Sequence, residues 1–350
     1  MTQNDTFRVG ITDDGVYDKI MGIESARRPL ESAPGLEIVR FSGERQVVTP
    51  QELEHLDALI AGGPRFTRDS LAGVERCGLI MRYGAGFDRV DLEACTDAGI
   101  ILATTPGGIR RSMATAALIH ILALSTKLFS KSRMVYNGQW MEAGTLENCG
   151  SGLTDKTIGY VGFGNIGRDL YTLIKPFEVR HIVYDPYLDA ATADQYDIEP
   201  VELPALLAQA DFVVTVCTLT EETRHLIGAE ELRQMKPSAY LVNVARGAII
   251  DQQALAGALA AKQIRGAGLD ALDPEPIEPD DPLLELDNAN LTPHALGITD
   301  EMIRLCSELC VEGTLDVMRG EAPVSVINRA VLDRPKLQAK LDAYRQRYGS

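Results

Sequence analysis

Short apolar runs alternate with longer amphipathic stretches along nearly the whole chain, the pattern of parallel strands joined by crossover helices. The first runs are Phe7–Asp13, Leu36–Ser42, Ala58–Gly62, Leu79–Tyr83 and Ile100–Ala103, each separated by a segment of helix-like composition. They predict a five-stranded doubly wound domain. A second series follows at Thr157–Gly162, His181–Tyr184, Phe212–Val216, Ala239–Val244, Gly266–Leu269 and Ala289–Leu291. Six strands with intervening helices predict a second sheet of the same kind. Between the series, Ser112–Tyr136 is alanine-rich with apolar positions near the helical period, which predicts one bridging helix closed by the Asn137-Gly138 turn. Helical spacing returns from Asp300 to about Met318. The basic, amphipathic end then carries Leu337, Leu341, Tyr344 and Tyr348 on one stripe.

The length of 350 residues agrees with two domains rather than one core. Apolar residues at 45% and charged residues at 24% are ordinary globular composition. The formal charge of −16 changes the picture more. Such a surface repels nucleic acid and anionic lipid, so neither is expected as a partner. An anionic substrate would need a local cluster of cations or amide donors working against the global field. The polar start from Met1 to Phe7 predicts no signal peptide. The apolar stretch Ala114–Leu124 is interrupted by His120 and is too short to span a bilayer. Cys306 and Cys310, one helical turn apart, read as buried core thiols rather than a metal pair, since no further ligand is near in sequence. No metal is expected, and the compartment implied is the reducing cytoplasm.

The most specific local motif begins at Thr157. Gly162, Gly164 and Gly167 form G-x-G-x-x-G after an apolar strand and at the opening of a helix. The first glycine permits a tight turn, the second lets the backbone approach a pyrophosphate, and the third lets helix and strand pack closely. Asp185 ends the next strand, His181–Tyr184. A carboxylate there accepts from the adenine ribose hydroxyls and repels a 2′-phosphate, which selects NAD over NADP. Three later strand ends carry further polar residues. Arg246 follows Val242-Asn-Val-Ala245, Asp270 and Glu275 follow Gly266–Leu269, and His294 follows Ala289–Leu291. Ligands bind outside the carboxyl ends of strands in such sheets, so these residues are expected to converge.

Taken together, the chain resembles the D-isomer-specific 2-hydroxyacid dehydrogenase family over nearly its whole length. The resemblance rests on the Arg246, Glu275, His294 order, the glycine motif, Arg82-Tyr-Gly-Ala-Gly-Phe-Asp88, Thr104-Thr-Pro-Gly107, Leu219-Thr-Glu-Glu-Thr223 and Thr292-Pro-His-Ala295. It implies a Rossmann NAD-binding domain, residues 109–299, inserted into a flavodoxin-like substrate-binding domain of residues 1–108 and 300–350. It also implies a homodimer. The implied reaction moves a hydride to or from C2 of a small 2-keto or D-2-hydroxy carboxylate. In that reading His294 exchanges the proton, Glu275 favours its imidazolium, and Arg246 forks onto the substrate carboxylate. Tyr83 would line the substrate pocket, and the amides of Gly84, Ala85 and Gly86 would hold the carboxylate's other oxygen. Asn165 and Ile166 would lend amides to the pyrophosphate. Cys217, Thr218 and Thr223 would pass the adenosine, Ala245 would lie along the cofactor, and Asp270 would hydrogen-bond the nicotinamide carboxamide.

Three stretches depart from the family pattern. Met113-Ala114-Thr115 lacks an acid that the family usually carries after Val-Ala. Val216-Cys217-Thr218 replaces a common His-x-Pro. Ala61-Gly-Gly-Pro64 stands where phosphoglycerate-oxidising members carry Arg-Ser-x-Thr, which weighs against a phosphorylated substrate unless Arg65 substitutes. The alternatives are an NAD-sensing dimeric scaffold and a phosphoglycerate- or phosphite-oxidising member of the same family.

Overall fold

Strands β1 (Phe7–Ile11), β2 (Leu36–Arg40), β3 (Ala58–Ala61), β4 (Leu79–Arg82) and β5 (Ile101–Ala103) form an all-parallel sheet in the order β2-β1-β3-β4-β5. The computed structural model describes residues 6–43 and 45–349. Its chain divides into two units, residues 1–109 with 299–350 and residues 110–298, and this sheet belongs to the first. Successive residues of a strand face opposite ways, and here both ways are covered. Ala58 and Ile60 enter one core with Val9, Ile11, Leu79 and Met81, while Leu59 and Ala61 enter another with Ile80 and Leu102. That double burial is why the strands read as continuous apolar runs rather than alternating ones.

The second unit holds a seven-stranded parallel sheet, β12-β11-β10-β9-β6-β7-β8. Its strands are β6 (Thr157–Val161), β7 (Arg180–Tyr184), β8 (Glu199–Pro200), β9 (Phe212–Thr215), β10 (Tyr240–Asn243), β11 (Gly266–Leu269) and β12 (Ala289–Leu291). The sequence predicts six strands. The seventh, β8, is a two-residue exposed edge strand pairing Glu199 with Ile182 and Pro200 with Val183, and a Glu-Pro pair carries no apolar signature. The expected α/β class of two doubly wound parallel sheets is what the structure contains.

The bridging helix differs from its expected form. Helix begins at Pro106, not Ser112, because proline suits a first helical position. It ends at Thr126, and a second helix covers Leu128–Tyr136 at a 60° bend. The hinge is Lys127 at φ 55°, a left-handed residue with no glycine or proline beside it to announce the break. Among the described residues no single helix is long and apolar enough to cross a membrane. The helix Asp300–Met318 is capped by Thr299, whose hydroxyl accepts from the Met302 N–H. The last helix, Pro335–Tyr348, buries Leu337, Leu341 and Tyr344 in the first unit's core, where the Tyr344 ring meets Phe7 edge-on. Cys306 and Cys310 are both free and fully buried.

Candidate active site

The turn after β6 shows what each motif glycine does. Gly162 has φ +91°, and a Cβ on it would lie 2.8 Å from the Cα of Cys217. Only glycine fits there. A Cβ on Gly164 would meet nothing within 4 Å, so this glycine leaves open space in front of the helix Asn165–Ile174, whose first turn has no side-chain cap. Gly167 would place a Cβ 3.2 Å from the Gly162 carbonyl, which marks the close packing of helix on turn. Uncapped helical N–H groups behind an open approach suit an anion.

Asp185 follows β7, and its two oxygens accept from the main chain at 2.8 Å (Phe163 N–H) and 2.9 Å (Tyr187 N–H). The carboxylate is thereby fixed against the glycine loop, and its remaining lone pairs are where ribose hydroxyls would donate. In the segment after β9, Thr223 Oγ1 donates to the Thr218 carbonyl at 2.7 Å and accepts from the Thr220 N–H at 2.7 Å, closing that loop. Cys217, half-buried, packs behind Gly162. Met113, from another departing stretch, seats its sulfur where a Cβ on Gly297 would fall.

The turn after β10 depends on Asn243, a residue the sequence reading passes over as part of an apolar strand. Asn243 is fully buried. Its Nδ2 donates to the Arg246 carbonyl at 2.9 Å, and its Oδ1 accepts from Thr215 Oγ1 at 2.8 Å and from the Ala245 N–H at 3.0 Å. The signal available was an amide inside an otherwise apolar run, which a strand keeps only when every polar atom is met. The turn so built projects Arg246, whose Nη1 donates to the Ala245 carbonyl at 2.8 Å.

Beyond β11, Asp270 is almost fully buried, and its Oδ1 accepts from Thr292 Oγ1 (2.7 Å), the Ala295 N–H (3.2 Å) and the Leu296 N–H (3.1 Å). Its Oδ2 is buried without a partner. A bare buried carboxylate oxygen costs about 1–3 kcal/mol or more, so the site is built for a donor from outside the chain. With the open space at Gly164, this orphaned oxygen fits a nicotinamide dinucleotide, which carries a pyrophosphate and a carboxamide.

His294 follows β12 and takes φ +50°, a left-handed conformation that costs a residue with a Cβ about 1–2 kcal/mol. Its N–H donates to the Thr292 carbonyl at 3.0 Å, closing a tight turn. His294 Nδ1 lies 2.8 Å from Glu275 Oε1, which also accepts from the Leu272 N–H at 3.2 Å. A carboxylate on Nδ1 holds the proton there, leaving Nε2 as the end that exchanges protons with a ligand. Burial pushes the Glu275 carboxyl up. The hydrogen bond and charge of His294, the Leu272 N–H and the charge of Arg246 outweigh it, so the carboxyl is held below its ordinary value.

In the first unit, the loop after β4 carries Tyr83 to Gly86. The Tyr83 hydroxyl donates to the Ile303 carbonyl at 2.9 Å and lies 3.1 Å from Ser307 Oγ, so it is committed to the helix Asp300–Met318. The Gly84 N–H, one of the three expected carboxylate donors, already donates to Thr105 Oγ1 at 2.8 Å. The Ala85 and Gly86 N–H groups carry no partner among the described residues. Arg82 Nε donates to the Gly86 carbonyl at 3.3 Å and steadies the loop.

Comparison with known proteins agrees with this reading. The family model described as "D-isomer specific 2-hydroxyacid dehydrogenase, NAD binding domain" matches residues 118–295. A glyoxylate reductase from Korarchaeum cryptofilum is 37% identical over 255 residues, covering 73% of this chain and 77% of that one. A D-3-phosphoglycerate dehydrogenase from Methanocaldococcus jannaschii is 33% identical over 323 residues, 92% of this chain but 60% of the longer relative. A crystal structure of a Thermus thermophilus protein superposes with TM-score 0.78 at 29% identity, covering 92% of this chain and all of that one. The chain belongs to the D-isomer specific 2-hydroxyacid dehydrogenase family and carries its NAD-binding domain. Within that family it is an NAD-dependent oxidoreductase acting between 2-keto and 2-hydroxy acids.

Proposed function

We propose that the protein interconverts a small, unphosphorylated 2-keto acid and its D-2-hydroxy acid, with His294 as the acid and base. The observation that carries this reading is the 2.8 Å pair of His294 Nδ1 and Glu275 Oε1 at the carboxyl ends of β12 and β11. NADH, when bound, supplies the hydride that reduces C2. The chain's own residues do the rest. His294 Nε2–H gives its proton to the keto oxygen, Glu275 stabilises the imidazolium before transfer, and Arg246 grips the substrate carboxylate and polarises the carbonyl. In oxidation the same imidazole removes the hydroxyl proton. The pyrophosphate falls to Gly162, Gly164, Asn165, Ile166 and Gly167, the adenosine to Asp185, Cys217, Thr218 and Thr223, and the nicotinamide end to Ala245 and Asp270. The substrate-binding role falls to the first unit, where the free Ala85 and Gly86 amides offer anion donors.

The restriction to unphosphorylated acids is supported at the carboxyl ends of β1 and β3, the point where strand order reverses and ligands bind in such sheets. A Cβ on Gly62 would fall 2.4 Å from Asp13 Oδ2, so a carboxylate stands directly at the Gly62 turn. Like charges brought together in a binding site cost several kcal/mol. NADH oxidation is therefore expected to be at least ~100-fold more efficient with hydroxypyruvate or glyoxylate than with 3-phosphohydroxypyruvate, at ~1.4 kcal/mol per tenfold. Equal efficiency would refute the exclusion of phosphate. Tight NADH binding with no turnover on any of these, or on pyruvate, phenylpyruvate and 2-oxoglutarate, would favour the scaffold instead.

A homodimer is part of the same proposal. The segment after the hinge exposes Tyr136 (88%), Trp140 (71%), Met141 (81%) and Leu146 (93%) within eleven positions, more apolar surface than an isolated monomer keeps open. Light scattering is expected to give twice the 38.1 kDa chain mass, and Tyr136→Glu with Trp140→Glu to shift it to one chain. A wild-type monomer at micromolar concentration would contradict this.

A further inference from the structure

His120 is a histidine that the reaction does not touch, yet it stands directly behind the residue that awaits the cofactor. It lies on the bridging helix, 1% exposed, among Ala116, Ala117, Ile121 and Leu124 of the second unit's core. Its ring presses on β11. A Cβ on Gly268 would sit 2.7 Å from His120 Nδ1, so glycine at 268 is what admits the imidazole. On its other side Nε2 lies 3.4 Å from Thr292 Oγ1, at the long end of hydrogen-bonding range.

The proton inventory fixes the direction of this chain. Thr292 has one hydroxyl proton, and its 2.7 Å contact with Asp270 Oδ1 commits it there. The Thr292 oxygen then has lone pairs but no proton for His120, so Nε2 must be the protonated nitrogen. Nδ1 is left bare against Gly268, and it is buried without a partner. A neutral ring agrees with this, since burial pushes the His120 imidazole down to about 4 against the opposing pull of Asp270. At the far end, three donors converge on Asp270 Oδ1 while Oδ2, equally buried, receives none. The asymmetry means the carboxylate is held by one oxygen and offers the other.

We propose that His120 is a positioning residue for the nicotinamide end of the cofactor. Through Thr292 it sets the orientation of Asp270, so that Oδ2 faces the carboxamide N–H. The proposal rests on the assignment of Asp270 to that end of NAD, and it concerns binding, so it stands or falls separately from the acid–base role of His294.

The test compares two ligands by calorimetry, NADH and ADP-ribose, which keeps the adenosine and pyrophosphate but lacks the nicotinamide. His120→Leu is expected to weaken NADH about tenfold and leave ADP-ribose within about twofold. His120→Gln, which can return an N–H near the Nε2 position, is expected to recover NADH affinity to within about threefold of wild type. Thr292→Val, which deletes the middle hydroxyl at constant shape, is expected to reproduce the NADH-specific loss and serves if His120→Leu does not fold. Equal weakening of both ligands, or unchanged NADH affinity in the folded variants, would overturn the proposal. If turnover fails for every keto acid while the NADH-specific loss is still seen, the substrate reading falls and the positioning role remains.

Discussion

His294→Ala is expected to lose two to four orders of magnitude in turnover with a 2-keto acid while binding NADH close to normally. General acid catalysis by a placed side chain contributes about 10²- to 10⁴-fold, which sets the range. The selectivity of the loss follows from the geometry. Glu275 anchors Nδ1 at 2.8 Å, so the imidazole's function is concentrated in Nε2, and removing it deletes a proton donor without disturbing the glycine turn after β6 or the Asp185 contacts to Phe163 and Tyr187. Steady-state turnover and NADH titration on the same preparation separate the two effects. Near-normal turnover on whichever keto acid the wild type reduces would remove His294 from the mechanism.

Arg246→Gln is expected to lower kcat/KM for the keto acid by about 100- to 1000-fold, with NADH affinity again preserved. Truncating one partner of a desolvated charge pair costs about 2–5 kcal/mol, and ~1.4 kcal/mol corresponds to tenfold. In a chain of charge −16 the substrate carboxylate depends on local positive charge, and glutamine keeps a donor but loses the charge and the fork. Arg246→Lys should fall between, since a point charge replaces the planar pair of donors. The Arg246 charge also helps hold the Glu275 carboxyl low. An unchanged kcat/KM in Arg246→Gln would mean that the carboxylate is held elsewhere.

Much of the fold was legible because both sides of each sheet are buried. Runs such as Ala58–Ala61 and Phe212–Thr215 have no exposed face, and only parallel sheets under helices ask for that. The glycine motif was legible for the same kind of reason, since its spacing matches three separate steric demands that Gly162, Gly164 and Gly167 each meet. What escaped the sequence lacked a local signature. Lys127 breaks the bridging helix by its own left-handed φ, with no glycine or proline to mark it. Strand β8 is two residues long.

The site divides along the same line. Arg246, Asp270, Glu275 and His294 were readable because each stands just past an apolar run. Asn243 and Thr292 were given no role of their own, although they shape the turns that present Arg246 and Asp270, because their partners are main-chain groups or lie far along the chain. His120 and Thr292 are 172 positions apart. The commitment of the Gly84 N–H to Thr105 was likewise invisible, since it requires the pairing of β4 with β5 to be known.

Transfer of a hydride to C2 forms a single enantiomer in the mechanism proposed for this site. The most direct measurement supplies NADH deuterated on the transferred face at C4 of the nicotinamide, together with the best keto acid substrate. The product is analysed by mass spectrometry and chiral chromatography. One deuterium at C2 and only the D-2-hydroxy acid are expected. A product without deuterium at C2, a racemate, or the L enantiomer would contradict that mechanism.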